Sequence, residues 1–232
     1  MTAKVKSTAM EMAYNLILQK VVRERMAPGT PLREEHLAEE FGISPTPVRE
    51  ALRSLEHEGW VQRVPYKGAC LRKFSLDEII DLYYLREALE GTAIRLALLR
   101  ADASDWERLQ KAIDADSRYL IEQPVEQNNC PASYNSDWDF HRAIVDASHS
   151  PLLLERNTTL RSQLSVLTLS SCEDTPVDYA LRVHEEHRMI YDAMCRNWPD
   201  IAEKLLRQHI SSGRERFCRL FADAMFPIKA DS

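Results

Sequence analysis

Glycine and long apolar stretches are what this chain most lacks. Six glycines against eleven prolines in 232 residues are too few for a glycine-rich nucleotide-binding sheet, and the long stretches rich in Leu, Ala, Glu and Arg favour helices. Charges interrupt every apolar run well before the roughly 18 residues a membrane-spanning helix needs. The five cysteines (Cys70, Cys130, Cys172, Cys195, Cys218) lie far apart with no CxxC, and an odd number argues against a disulfide framework. They are expected to be reduced and mostly packed. Lys4 and Lys6 are followed by no apolar leader segment, so the cytoplasm is the expected compartment. What remains is an ordinary globular composition, 44% hydrophobic and 28% charged, enough for one sizeable core and a second small one.

Charge is distributed unevenly. Residues 1–75 hold 12 Lys and Arg against 9 Asp and Glu, a balance of +3, whereas residues 76–232 hold 18 against 27, or -9. A mildly basic head on an acidic body fits a chain whose head alone meets a polyanion.

The head reads as a winged helix-turn-helix. From Thr8 to Met26 the residues Met12, Ala13, Leu16, Ile17 and Val21 recur at helical spacing, and Pro28-Gly29 ends the segment. A second helix is expected from about Arg33 to Phe41, stopped by Gly42. Ser44 is placed to cap a third, with Pro45 and Pro47 in its first turn, where proline costs little. Val48, Ala51, Leu52 and Leu55 then face inward, and Thr46, Arg49, Glu50 and Arg53 face outward. Arg49 and Arg53, four residues apart, form one cationic face suited to phosphates and to the O6 and N7 acceptors of guanine. Beyond Gly59, Trp60 to Val64 and Ala69 to Lys73 read as strands joined by Pro65-Tyr66-Lys67-Gly68, a hairpin with a basic tip at Lys67. Helix, tight turn, helix and basic hairpin are the parts of a winged helix on double-stranded DNA.

The run Gly42-Ile43-Ser44-Pro45-Thr46-Pro47-Val48-Arg49-Glu50-Ala51-Leu52, with Pro28-Gly29, Leu37-Ala38-Glu39, Leu55 and Glu58-Gly59, resembles the GntR family of bacterial transcription regulators. That resemblance implies a dimeric DNA-binding regulator whose third helix reads an operator half-site. Arg49 matches the family pattern directly; Arg53, Thr46, Ser44 and Lys67 complete the expected DNA face. Pro45 stands where family members often carry Arg, which implies one contact fewer.

Residues 75–232 read as an all-α bundle of six helices behind a head of residues 1–74. Ser75 with Glu78, and Ser104 with Glu107, fit the capping box in which a serine oxygen and a glutamate each satisfy an amide at a helix start. The first two helices are expected to run to about Arg100 and Gln123, with Pro124 to Pro131 as a loop. Further helices follow near Tyr134–Ala147, Pro151–Ser170, Val177–Arg196 and Pro199–Phe226. Residues Lys73 to Ser75 would form a very short joint between the two domains.

Polar residues interrupt three apolar stripes. Asp137 and His141 lie four apart beside Trp138, Ile144 and Val145, a spacing that can grip one metal ion. His187 falls among Val183, Ile190, Tyr191 and Met194, and His209 among Ala202, Leu206, Gly213 and Phe217. Burying three imidazoles and a carboxylate together is costly unless a cation ties them, as a divalent metal does.

Arg86 and Glu90, Asp137-Trp138-Asp139-Phe140-His141, His187 and His209 together resemble the FCD effector-binding domain of the FadR subfamily, and six helices resemble its VanR-like branch. The resemblance puts metal ligands on Asp137, His141, His187 and His209. Zn, Ni, Mn and Fe all suit that donor set. A small organic acid filling the open metal positions is the expected effector. Arg86 would pair with its far end, or else form an internal salt bridge with Glu90 or Glu87; Arg161 and Ser165 would line the site. His184, one turn before His187, would touch the pocket. His36, His57 and His149 are expected to be exposed and without a role, and Cys172 and Cys195 to be packing.

The expected function is therefore a homodimeric, metabolite-responsive transcription regulator, a repressor by resemblance, with no membrane partner. One rival is a metal-dependent hydrolase. It lacks a convincing general base, because Asp139 and Glu186 should point away from the inward residues beside them. Other rivals are a DNA-binding dimer with a purely structural metal and a bundle with an empty polar core.

Overall fold

The computed structural model describes residues 8–24, 26–122, 130–170 and 177–225; the side chains of residues 22, 116–122, 130–137, 166–170, 177 and 221–225 lie outside that description. It divides into two compact units, Met1–Ser75 with Arg161–Ser170, and Leu76–Leu160 with Ser171–Ser232.

In the first unit α1 (Ala9–Arg23), α2 (Glu34–Phe41) and α3 (Pro45–His57) precede a hairpin of β1 (Val61–Val64) and β2 (Gly68–Leu71). Ala13, Ile17 and Val21 of α1 meet the inner positions of α3, Val48, Ala51, Leu52 and Leu55, and all seven are buried. Thr8 and Glu11 open α1 with a reciprocal cap: the Glu11 amide donates to Thr8 Oγ1 at 3.2 Å and the Thr8 amide to Glu11 Oε2 at 2.8 Å. Gly42 ends α2 in the left-handed region, φ 66°, with its amide donating to the carbonyls of Ala38 and Glu39. That stop sets the sharp turn into α3. Ser44 occupies the N-cap position of α3 with extended backbone, but its side chain makes no capping hydrogen bond, contrary to the sequence expectation. The helix start rests on Pro45 at its first position instead.

The strands pair antiparallel with Val61 opposite Leu71 and Val64 opposite Gly68. A third extended segment joins them: Pro31 bridges Cys70, the Leu32 amide donates to the Ala69 carbonyl and the Leu71 amide to the Thr30 carbonyl. No alternating pattern announces that segment in the sequence. At the wing tip the Lys67 amide donates to the Val64 carbonyl at 3.0 Å, Pro65 sits second in the turn, and Tyr66 takes φ 64°, where glycine is usual. Tyr66 is fully exposed.

The remaining helices are α4 (Leu76–Arg100), α5 (Ala103–Glu122), α6 (Cys130–Ala147), α7 (Pro151–Ser170), α8 (Val177–Cys195) and α9 (Pro199–Met225). These are the six expected bundle helices. Two boundaries differ from the sequence reading. Helix α6 starts at Cys130, so Pro131 lies in its first turn rather than in a loop; residues 124–129 of the expected loop are outside the described residues. Helix α5 is capped from Asp102, not Ser104. Asp102 Oδ1 accepts from the Ser104 and Asp105 amides and from Ser104 Oγ, and Asp105 Oδ2 accepts from the Asp102 amide at 2.9 Å. The box is built from two aspartates, and Ser104 serves inside it. Ile79, Ala93, Ile94, Ala97, Leu109, Phe140, Ile144, Val145, Ile190, Met194, Ala202, Leu206 and Ile210 form the core of this unit. No helix among the described residues is long and apolar enough to cross a membrane.

Candidate functional site

On the head, Ser44, Thr46, Arg49, Arg53 and Lys67 are all exposed, so the expected DNA face is on the surface. Thr46, Arg49 and Arg53 stand on α3 opposite its buried stripe, Ser44 precedes that helix, and Lys67 is at the wing tip. Arg49 is not idle there: its Nε donates to Glu34 Oε2, in the first turn of α2, at 2.7 Å. No local spacing joins these residues, which are 15 positions apart.

In the second unit the three histidines meet. His141 of α6, His187 of α8 and His209 of α9 are buried, and one ring nitrogen of each lies within 4.8 Å of the other two. The rings of His141 and His209 stack at 5.0 Å between centroids, and His187 lies 4.7 Å from His209 and 5.2 Å from His141. Phe140 covers His187 at 4.5 Å. Asp137 stands one turn before His141 on α6, and its side chain is outside the described residues.

Two carboxylates hold the rings. Glu90 Oε2 accepts from His141 Nδ1 at 2.6 Å, and Glu186 Oε2 accepts from His209 Nδ1 at 2.7 Å. Glu90 is wholly buried, and its other oxygen takes Arg86 Nε at 2.9 Å and Asn157 Nδ2 at 3.4 Å. Burial alone would raise the Glu90 pKa; the charge of Arg86 and the ring of His141 outweigh it and hold the carboxyl at about 2. Of the two readings of Arg86, the geometry displays the salt bridge with Glu90. The guanidinium also packs over Trp138, 4.5 Å from the ring centroid.

With each Nδ1 facing a carboxylate, a neutral imidazole at His141 or His209 would turn the lone pair of its Nε2 inward, and these two atoms are 3.1 Å apart. Two lone pairs at that distance repel unless a cation, proton or metal, lies between them. A third imidazole beside them makes the donor set that of a metal site, and carboxylates on the outer ring nitrogens are the usual support for metal-bound histidine. The residues present therefore fit a divalent ion.

Glu186 corrects the sequence reading, which turned it away from the site. It does face away from its neighbour His187, but toward α9, where His209 waits. The contacts of Glu90 with His141 and Asn157 are not legible in the sequence, because no local spacing links α4 to α6 or α7. Ser165 is buried and its Oγ donates to the Arg161 carbonyl at 2.8 Å, so its hydroxyl closes a turn of α7. Arg161 is half-buried, and both residues group with the first unit. His184 is half-buried on α8.

A second cluster, Asp102, Asp105 and His149, also brings three donor atoms within 4.8 Å. His149, expected to have no role, bonds Asp105 Oδ2 through Nε2 at 2.7 Å, and Arg108 pairs with the other oxygen. Burial would raise the Asp105 pKa, but the Asp102 amide, His149 and Arg108 hold it below the ordinary value. With those oxygens already committed to the cap, the cluster reads as structural. Cys195, expected to pack, is exposed, whereas Cys70 is buried; Cys172 is outside the described residues.

Comparison with known proteins bears on both units. Residues 9–71 match the bacterial regulatory proteins of the gntR family, and residues 81–212 match the FCD domain. The chain is 27% identical to the "Probable D-xylose utilization operon transcriptional repressor" of Paenarthrobacter nicotinovorans, over 89% of this chain and 88% of that protein. It is 24% identical to the "HTH-type transcriptional repressor RspR" of Escherichia coli, over 85% and 83%. It is 30% identical to the HTH-type transcriptional regulator BphR of Paraburkholderia xenovorans, over 87% and 82%. Among solved structures, Escherichia coli McbR/YncC shares the fold with a TM-score of 0.78 at 19% identity, over 93% of this chain and 99% of that one. A reading head, a buried histidine cluster on helices, and matches to both halves lead to one conclusion: the chain belongs to the GntR family of bacterial regulatory proteins, and is a transcription regulator with an FCD domain rather than an enzyme.

Proposed function

We propose that this regulator is a metabolite-responsive repressor in which residues 1–74 bind a double-stranded operator and residues 75–232 sense a small organic acid at a divalent metal. The observation that carries the sensing half is the pair of Nε2 atoms on His141 and His209, 3.1 Å apart and each backed by a carboxylate on the far side of its ring. His141, His187 and His209, with Asp137 as fourth donor, would hold the ion; Zn, Ni, Mn and Fe are all compatible. When bound, such an ion would supply open coordination positions for the oxygens of a carboxylate. The chain's own residues do the rest. Glu90 and Glu186 fix the ring tautomers, Arg86 and Asn157 orient Glu90, and Phe140 closes one side against water. Arg86 is thereby assigned to positioning Glu90.

Arg49, Arg53, Thr46, Ser44 and Lys67 form the operator face, their exposure being the support for that reading. A homodimer presenting two such faces to a pseudo-palindrome follows from the one half-site each head can cover. The repressor sign is supported by relatives that are named repressors. Effector binding would favour one of two conformations and alter operator affinity; a coupling of about 1–3 kcal/mol gives roughly a 5- to 150-fold change.

The test is elemental analysis of untagged protein, followed by thermal-shift screening of small carboxylates and operator binding with and without each hit. Stoichiometric metal that is lost in His187→Ala, and a carboxylate that both raises the melting temperature and releases DNA, are the expected results. Metal-free protein, or a metal whose removal leaves carboxylate binding unchanged, would overturn the sensing half.

A further inference from the structure

We infer that Glu34 is a positioning residue for DNA reading: its carboxylate holds the Arg49 guanidinium by Nε, so that the terminal edge of the fork, Nη1 and Nη2, is what meets a base. This rests on the reading of α3 as the recognition helix. Arg49 Nε donates to Glu34 Oε2 at 2.7 Å. The carboxylate is the more enclosed partner, its side chain 19% exposed against 48% for Arg49. A half-buried anchor beside a more exposed arginine is the arrangement expected of a buttress. Arginine can engage guanine O6 and N7 through its terminal edge or through Nε and one Nη, and a bond already made at Nε leaves only the first.

Such a contact has two opposing consequences. An arginine held in one rotamer loses less conformational freedom on meeting the base, so the specific complex gains. A carboxylate kept near phosphates weakens binding to any duplex. Glu34 therefore trades general affinity for discrimination. Its neighbours show that the feature is not needed for helix charge alone: Glu35 also lies in the first turn of α2, where it can complement the helix dipole without touching Arg49.

The experiment uses the full-length chain and a duplex enriched from a random pool by that chain, with a scrambled duplex of the same composition as reference. The readout is the ratio of the two affinities at fixed salt, with thermal melts to verify folding. Glu34→Ala is expected to bind the scrambled duplex more tightly and to lose about tenfold in discrimination. Glu34→Gln, which keeps an oxygen for Nε but removes the charge, should retain most of the discrimination while still binding the scrambled duplex more tightly. If Glu34→Ala raises both affinities equally, Glu34 is only a negative charge near DNA and the inference is overturned. If Arg49→Ala leaves the ratio unchanged, the recognition-helix reading itself fails, and a wild-type chain that enriches no sequence overturns both.

Discussion

The two halves of this protein display their chemistry in opposite ways. The head carries the residues proposed to meet DNA outside, on about two turns of α3 and a wing tip, with the buried stripe of the same helix holding them in place. The bundle hides its working residues at the meeting point of α4, α6, α8 and α9, where His141, His187 and His209 are at most 7% exposed. A surface that reads DNA must be wet until it binds and tolerates sequence-local organisation. A buried polar centre has to satisfy every donor and acceptor from several helices at once, because each unmet group in a low-dielectric interior is expensive.

That contrast can be broken most forcefully at Glu90. Glu90→Ala leaves Arg86 buried without its carboxylate and His141 without the acceptor for Nδ1, which should cost about 3–5 kcal/mol of unfolding free energy. Denaturant titration measures it, and a loss below about 1 kcal/mol would show that the buried network is not what holds this unit.

Glu186→Gln is a milder change at the rim of the same centre. The side chain is partly exposed, so stability should change little, whereas metal affinity should fall about 10- to 100-fold through loss of the carboxylate behind His209. Competition with a chelator of known affinity reads the change; affinity equal to wild type would detach Glu186 from the site.

On the head, Arg49→Ala should weaken specific operator binding by about 1–3 kcal/mol while leaving folding and metal content intact. A fall in metal content in that variant would contradict the division of labour between the two halves.

The smallest expected effect concerns Asp105, which caps α5 and binds His149. Asp105→Ala should cost about 1 kcal/mol at neutral pH. The Asp105 pKa is depressed in the folded chain, so its stabilising contribution is complete above the unfolded value of about 3.9 and is lost as pH falls through the lower folded value. The gap between wild type and variant should therefore close in strong acid. A gap that widens there would reverse the sign assigned to this group.

Much of the head was legible because its determinants are neighbours in the chain. Gly42 before Ser44-Pro45, apolar spacing along α3, and Pro65 to Gly68 between two apolar runs mark elements that form where expected. The segment at Thr30–Leu32 was not legible, since its pairing with β2 depends on residues some forty positions away. In the bundle, the histidines stood out as polar residues on apolar stripes. Their carboxylate partners did not: Glu186 sits beside an inward histidine and looks outward on its own helix, and only the approach of α9 turns that outward direction into an inward one. The α5 cap shows the same limit on a smaller scale. Ser104 and Glu107 satisfy the familiar spacing, yet Asp102 with Asp105 takes the position, because an aspartate pair two residues earlier reaches the amides of Asp102, Ser104 and Asp105 and gains His149 as well.

Sequence by itself determined which segments coil, which faces of them are apolar, and which polar residues would be trapped on those faces, since all three depend on spacing within a few turns. Tertiary structure alone decided that Glu90 and Glu186 would meet the Nδ1 atoms of two histidines, and that Glu34 would hold Arg49. The physical reason is range: helical periodicity acts over three or four residues, whereas a hydrogen bond between buried groups is chosen by whichever helices the folded core brings within three ångströms.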